Sequence, residues 1–168
     1  MANYGVVRTD RLLGITNHAG IVSAKYYVDT TATAIENGNV VKLAGLMDGE
    51  REIYKAVAPA AGTALEEIVL VASPELMYDE RKRALNEFIN EAGRPFRGYR
   101  LHSGDIFSVT ADALSTSLSE IEKGNVVELQ AGTKLKVTSS LTANSTQVGK
   151  IADINVVGRY TYYAIEVA

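Results

Sequence analysis

The residues best able to do chemistry in this chain are its histidines and a nearby serine and aspartate. His102 is followed by Ser103 and, after one glycine, by Asp105, which are the residue types of a hydrolytic triad. Adjacent positions on a strand point to opposite faces, so this local order does not build a triad. Ser103 also lacks the Gly-x-Ser-x-Gly nucleophile elbow. We interpret residues 102–105 as a turn, and we assign His18, in a glycine-rich stretch, to a solvated or interface role.

The acidic residues and glycines do not outline a catalytic or cofactor site. Paired catalytic carboxylates need different environments that separate their pKa values. Three acidic pairs lie instead in polar, turn-like sequence: Glu50/Glu52, Glu66/Glu67 and Asp79/Glu80. No phosphate-cradling glycine motif is present, and a chain without cysteine has no thiolate metal site. We predict no catalytic residue, no cofactor and no metal, and therefore a protein that is not an enzyme.

An internal repeat indicates how the elements are organised. Residues 35–43 and 121–129 are identical at seven of nine positions. Each copy has a glycine, Gly38 or Gly124, that can adopt positive φ in a turn before a β-branched run. We expect Ile35 and Ile121 to pack under these turns.

The two positions that differ between the copies are polar in both. They are Asn37/Lys123 and Lys42/Glu128. We expect these side chains to face solvent. The repeat predicts a mainly β fold (β-rich α+β) with two pseudo-repeated β lobes.

Alternation and β-branched content predict the strands of each lobe. The stretches are 21–28, 53–57 and 68–72 in the first half, and 106–110, 134–138, 148–157 and 160–167 in the second. At a period of two residues, Tyr160 and Tyr162 share one face of the last strand, and Tyr163 faces the opposite way. We divide the chain into an extended N-terminal arm (1–20), a first lobe with a helix and basic loop (21–102), and a second lobe (103–168).

One helix is expected between about 74 and 92. Ser73-Pro74 suits a helix start, Leu85 and Phe88 recur at helical spacing, and Gly93 suits a helix end. Glycine and proline punctuate residues 93–98, which we therefore predict to be a turn or loop.

Charge is distributed unevenly along the chain. The formal net charge is −3, yet residues 81–102 carry six basic and two acidic side chains. Aromatic residues are interleaved with these arginines, a pattern compatible with single-stranded nucleic acid. Tyrosine and arginine are also enriched at protein interfaces, and acidic sequence on both sides offers intramolecular partners. We favour an interface or intramolecular pairing over nucleic acid.

Four stretches of the sequence resemble small structural proteins of tailed bacteriophages. They are residues 1–10, 70–80, 88–93 and 97–101. The chain is similar to head decoration (capsid cement) or head-fibre-base proteins, which coat a major capsid lattice. The resemblance implies a β-rich, capsid-binding protein arranged around a local symmetry axis. Because the chain ends at Ala168, without the extension common in head fibres, we expect a compact decoration protein.

We therefore expect a virion structural protein, made in the host cytoplasm, that binds the outer capsid surface and stabilises the lattice without covalent bonds. The expected partners are the major capsid protein and further copies of the chain, with a trimer favoured, and neither a membrane nor nucleic acid. The alternatives are a head–tail connector or tail component, a nucleic-acid-binding module using residues 81–102, and a hydrolase around His102 and Asp105. The candidate interface residues are Asn3, Tyr4, Arg8, Arg11, Arg81, Arg94, Phe96, Arg97, Tyr99 and Arg100.

Overall fold

The computed structural model describes residues 4–12, 20–79, 81–82 and 84–168. It is mainly β, as the sequence predicts, with 45% of the described residues in strands and 6% in helix. The strands are β1 (Val7–Arg11), β2 (Ile21–Val28), β3 (Thr31–Ala32), β4 (Val40–Leu46), β5 (Ile53–Val57), β6 (Ile68–Val71), β7 (Phe96–Arg100), β8 (Ile106–Thr110), β9 (Leu114–Thr116), β10 (Val126–Glu128), β11 (Leu135–Thr138), β12 (Gln147–Val157) and β13 (Tyr160–Val167). The helical residues are single turns of 3-10 helix at Leu65–Glu67, Leu85–Glu87 and Ala111–Ala113.

The first lobe is a closed barrel of five strands. The strand order is β2-β5-β4-β6-β7, and β7 returns to pair with β2, with Ile21 opposite Tyr99. β2 and β5 are parallel, the other barrel pairs are antiparallel, and β3 extends β2 as a short hairpin. Closure leaves these five strands without an open edge.

The second lobe is a seven-stranded sheet with the order β1-β8-β13-β12-β10-β11-β9. Its central hairpin, β12–β13, is long, and a bulge interrupts the register between Ile151 and Asp153. Tyr163 packs against the core with Ile165, whereas Tyr160 and Tyr162 lie together on the other face, with ring centroids 6.1 Å apart. The predicted sharing of faces along this strand is confirmed.

β6 belongs to two cores at once. Val69 and Val71 point into the barrel, where Phe96 and Val22 also lie. Ile68 and Leu70 point the other way, into the larger core between the barrel and the seven-stranded sheet. All four residues of the strand are fully buried, which explains its continuous apolar run.

The expectation that residues 1–20 lie outside the core is wrong for the described part. β1 pairs with β8, and Val6, Val7 and Leu12 are buried. The Val6 N–H also donates to the Thr110 hydroxyl at 3.2 Å. These three apolar side chains complete a core that other strands largely form.

The turn or loop predicted at residues 93–98 is also partly wrong, because β7 begins at Phe96. Gly98 lies inside the barrel, where a Cβ would come within 3.0 Å of Val69 Cγ2 and 3.1 Å of Val22 Cγ2. The glycine therefore permits close packing of the barrel wall and does not mark a turn.

The helix predicted between 74 and 92 is not formed by the described residues of that range. They contain one 3-10 turn, Leu85–Glu87, and the chain is extended at Phe88. Asn90 then forms an antiparallel bridge with Ile35. Leu85 is exposed and Phe88 only half-buried, so a helix would have no packed apolar face to stabilise it.

The two copies of the repeat have the same structure only at their turns. Gly38 and Gly124 have φ of 84° and 86°, and Ile35 and Ile121 are both buried, as predicted. The strands that follow differ: β4 joins the closed barrel and β10 the open sheet. The lobes are therefore built differently beyond the shared turn.

Two of the polar repeat positions predicted to face solvent are fully buried, Asn37 and Glu128. Glu128 is enclosed by hydrogen bonds and one ion pair. Its carboxylate accepts from the Thr142 N–H at 2.7 Å and the Thr142 hydroxyl at 2.6 Å, and it lies 3.0 Å from Lys136 Nζ. Burial alone would raise the pKa of Glu128, but these bonds outweigh it and hold that pKa below the usual value of 4.5.

No helix among the described residues is long and apolar enough to cross a bilayer.

Replacement Leu12→Ala tests whether the N-terminal strand is part of the core. Removing a buried leucine side chain leaves a cavity, so we expect a loss of roughly 2–5 kcal/mol in the free energy of unfolding. Leu76→Ala is the control, because Leu76 is largely exposed and such changes stay within about 0.5 kcal/mol. Chemical denaturation measures both, and equal stability of the two variants would contradict the assignment of β1.

Replacement Glu128→Gln tests the buried carboxylate. Loss of its charged hydrogen bonds should lower the free energy of unfolding by roughly 1.5–3 kcal/mol at neutral pH. Because the folded-state pKa is lowered, this stabilisation is present above the unfolded value near 4.5 and is lost as pH falls through the folded value. The difference in the free energy of unfolding between Glu128→Gln and the wild type should therefore become smaller at acid pH. Urea denaturation at a series of pH values measures this difference, with the exposed Glu122→Gln as control. A difference that does not change with pH would contradict the prediction.

Candidate interaction surface

The longest irregular part of the described chain connects β6 to β7. β6 ends at Val71 and β7 begins at Phe96, so 24 residues, 72–95, form what we call the connecting segment. Connections longer than about 12–15 residues without regular structure are uncommon in compact domains, where they are either functional loops or linkers.

The Asn37 side chain holds both ends of the connecting segment. Its Nδ2 donates to the Ser73 carbonyl at 2.8 Å and to Glu75 Oε1 at 3.3 Å. Its Oδ1 accepts from the Ser73 N–H and from Asn90 Nδ2, each at 3.0 Å. These four contacts use the whole hydrogen-bonding capacity of an amide. We call this group, centred on Asn37, the amide clasp.

Asn90 extends the amide clasp to the barrel backbone. Its side chain donates to the Ile35 carbonyl at 3.0 Å, and the two residues exchange backbone hydrogen bonds of the same length. Asn37 and Asn90 are buried, so the hydrogen bond between their side chains is protected from competition with water.

A second attachment joins the connecting segment to the other lobe through Asn86. The Asn86 carbonyl accepts from the Tyr4 N–H at 2.9 Å. Its side-chain oxygen accepts from the Tyr160 hydroxyl at 3.2 Å, and that hydroxyl accepts from Arg159 Nη2 at 2.9 Å. The connecting segment therefore bridges the barrel and the tip of the β12–β13 hairpin.

Between these attachments the connecting segment displays apolar side chains. Tyr78 is 90% exposed and Leu76 67% exposed. Beside them lies a groove of about 270 Å³ whose walls include Met77, Phe88 and Ile89. The walls also include charged residues, among them Asp79, Lys82 and Glu91. Exposed aromatic and aliphatic side chains beside a groove with both apolar and charged walls are typical of a protein-binding surface.

Two of the predicted interface arginines are paired within the connecting segment. Arg81 makes a two-pronged pair with Asp79, with Nε–Oδ1 and Nη2–Oδ2 distances both 3.0 Å. The side-chain bond from Arg81, followed by the bond from its backbone N–H, lowers the pKa of the Asp79 carboxyl. Arg94 Nε lies 3.0 Å from Glu91 Oε2. Neighbouring carboxylates therefore compensate part of the basic charge of residues 81–102.

The other predicted interface residues lie in different parts of the fold and do not form one surface. Phe96 and Tyr99 are buried, one in the barrel and one in the larger core, so their assignment to an interface is wrong. Arg97 is exposed and Arg100 half-buried on the same strand. Half-buried Tyr4 and exposed Arg8 lie at the N-terminal edge, whereas Asn3 and the side chain of Arg11 lie outside the described residues.

Arginine–tyrosine contacts occur at a place that the sequence did not indicate. The Arg8 guanidinium lies 5.8 Å from the centre of the Tyr162 ring, and that of Arg159 lies 5.1 Å from the Tyr160 ring. Burial raises the pKa of Tyr162, and nearby Arg8 partly opposes that effect. The alternating tyrosines of β13 are the available sequence signal. Arg159 adjoins Tyr160 in sequence, whereas Arg8 comes from a position distant from Tyr162.

Residues 102–105 form the predicted turn. Gly104 has φ of 85°, and the Asp105 carboxylate accepts from the His102 N–H at 2.9 Å. His102 Nδ1 is 3.6 Å from Asp105 Oδ2, beyond hydrogen-bond length. The Asp105 carboxylate therefore closes the turn.

Within the described ranges, no group of three or more histidine, aspartate or glutamate side chains could hold a metal ion. No family model, curated protein or solved structure matches this chain. The surface itself is therefore the basis for assigning a role.

Sequence patterns pointed only weakly to the central parts of this surface. Leu76, Met77 and Tyr78 form a short apolar run after Ser73-Pro74, which was interpreted as a helix start. The repeat shows Asn37 in one copy and Lys123 in the other, and two polar residues at matching positions predict two solvated side chains, which is wrong for Asn37.

Replacement Asn37→Asp tests the amide clasp. It removes the Nδ2 donor and places a carboxylate beside Glu75, so we expect the free energy of unfolding to fall by roughly 1–3 kcal/mol. Hydrogen exchange should also become faster in the connecting segment than in the barrel strands. The control is Lys123→Ala, at the matching and exposed position of the second copy. Unchanged exchange in residues 73–90 would contradict the role of the clasp.

Proposed function

We propose that this chain is a virion structural protein of a tailed bacteriophage that binds the outer surface of the capsid. It acts as a decoration (cement) protein and stabilises the major capsid protein lattice through non-covalent contacts. The observation that carries this proposal is the connecting segment, which displays Leu76 and Tyr78 while the amide clasp ties its ends. The resemblance to phage head proteins supplies the partner.

A docking segment that is already ordered loses little conformational freedom on binding. The amide clasp and Asn86 restrain the connecting segment at two places, one on each lobe. More of the contact energy is then available for affinity. Tyrosine suits the centre of such a contact, since it brings a large rigid ring and a polar hydroxyl.

Stabilisation of a lattice requires contacts with more than one subunit at a time. The resemblance favours several copies around a local symmetry axis, with three expected. Simultaneous attachment of linked copies strengthens binding well beyond that of one contact. Separation of neighbouring capsid subunits would then require the loss of several contacts together.

Co-sedimentation with mature, expanded empty capsids of the cognate phage tests the proposal. Wild-type protein should pellet with capsids at micromolar concentration. Tyr78→Ala and Leu76→Ala should each weaken binding about tenfold or more, as central contacts do, while thermal unfolding stays unchanged. Leu141→Ala, an exposed leucine of the β11–β12 loop, is the matched control.

The outcomes distinguish the proposal from its alternatives. Absence of binding to expanded capsids would overturn the capsid role, and binding to isolated tails instead would favour a connector or tail component. Full capsid binding by both Leu76 and Tyr78 variants would leave the capsid role but exclude the connecting segment as the docking surface.

A further inference from the structure

The pair Asn37-Gly38 at the centre of the amide clasp has a chemical reactivity of its own. Asn37 is the one asparagine of the sequence that precedes a glycine. In such a pair the backbone nitrogen of the glycine can attack the side-chain amide carbon of the asparagine, because glycine has no side chain to hinder the approach. The amide that holds the connecting segment is therefore also the one whose sequence context most favours deamidation.

The reaction needs only water and a proton acceptor. A bond forms between the Gly38 nitrogen and Cγ of Asn37, the Cγ–Nδ2 bond breaks, and Nδ2 leaves as ammonia with the proton of the Gly38 N–H. Water then opens the resulting cyclic imide at one of its two carbonyl carbons. The product is an aspartate that is joined to Gly38 through its main-chain carbonyl or, as isoaspartate, through its side-chain carbonyl.

The fold holds both reacting groups in other bonds. The Gly38 N–H donates to the Val71 carbonyl at 2.8 Å, so this nitrogen keeps its proton and is directed towards the end of β6. The Asn37 amide is fixed by the four contacts of the amide clasp. Both residues are buried, so water and base reach them only when the turn opens.

The products of the reaction do not fit the native turn. An aspartate lacks the Nδ2 donor for the Ser73 carbonyl, and its carboxylate would lie beside Glu75. The isoaspartate product also adds a methylene carbon to the main chain. The turn has little room for it, because even a Cβ on Gly38 would come within 2.8 Å of Ala113 Cβ and 3.3 Å of Val109 Cγ1.

We propose that Asn37-Gly38 is a latent deamidation site that the amide clasp keeps unreacted, and that its reaction releases the connecting segment irreversibly. Each opening of the clasp frees the Asn37 amide and exposes it to attack. Once the amide has reacted, the clasp cannot close again in its native form. The site thus converts a reversible opening of the connecting segment into a permanent one. This chemistry concerns the chain alone and does not depend on capsid binding.

The second copy of the repeat offers a matched comparison within the same molecule. Gly124 has nearly the same φ as Gly38, and its N–H donates to the Ile151 carbonyl, also at 2.8 Å. The preceding residue is Lys123, whose side chain is exposed and pairs with Asp153. Lys123→Asn makes residues 121–127 identical to residues 35–41. It therefore places a second Asn-Gly pair in the same kind of turn, but without a clasp.

Peptide mapping by mass spectrometry of folded Lys123→Asn, incubated at mildly alkaline pH, tests the protection. The new asparagine should convert to aspartate and isoaspartate. Asn37 in the same molecules should react at least roughly tenfold more slowly, because the hydrogen bonds of the clasp must break first. In guanidinium chloride the two sites should react at similar rates. Reaction at Asn37 as fast as at the new site in the folded protein, or absence of reaction at both, would overturn the proposal.

Release of the connecting segment has a separate readout. Wild-type protein is aged in guanidinium chloride, refolded, and separated by anion exchange into unreacted molecules and molecules with the additional carboxylate. Hydrogen exchange of residues 73–90 should lose its protection in the reacted molecules, while β4 and β6 keep theirs. If the reacted molecules do not refold, Asn37→Asp supplies the main-chain-linked product directly and must show the same loss. Unchanged protection of residues 73–90 would overturn the release.

Discussion

The burial of β6 on both of its faces is the constraint on which the rest of the structure depends. Val69 and Val71 fill the barrel, and Ile68 and Leu70 fill the space between the lobes. One strand therefore serves as a wall for two cores, the interior of the barrel and the core that the two lobes share. Further links between loops, such as the Thr146 N–H to the Ala61 carbonyl at 2.8 Å, reinforce the junction. The connecting segment therefore begins at the end of a strand that is buried on both faces.

Sequence patterns predicted most of the strands, because their information is local. The bounds of β2, β5, β8 and β13 follow from runs of β-branched and aromatic residues alone. The sequence patterns gave wrong predictions where the local structure depends on residues that are distant in sequence. β1 depends on a partner 100 residues away, and Gly98 was interpreted as a turn residue because its neighbours across the barrel, Val69 and Val22, were unknown.

Buried polar residues were the other main source of error. Asn37 lies in the first copy of the repeat and Glu128 at a different position of the second copy, and the sequence predicts both at the surface. Each is instead the centre of a hydrogen-bond group that ties one loop to its lobe: the connecting segment for Asn37, and the β11–β12 loop for Glu128. The residue type alone does not tell whether a polar side chain is buried or solvated. A polar side chain can be buried only where hydrogen-bond partners compensate for the loss of water, and those partners are distant in sequence.

The pairing of β1 with β8 also determines when the protein can fold during synthesis. Val6 and Thr110 bond across 104 positions of sequence, and the barrel cannot close until β7 has been made. Contacts this distant in sequence slow folding, because a long loop must be ordered before they form. β1 therefore leaves the ribosome before its partner, and it stays unpaired until β8, residues 106–110, has been translated.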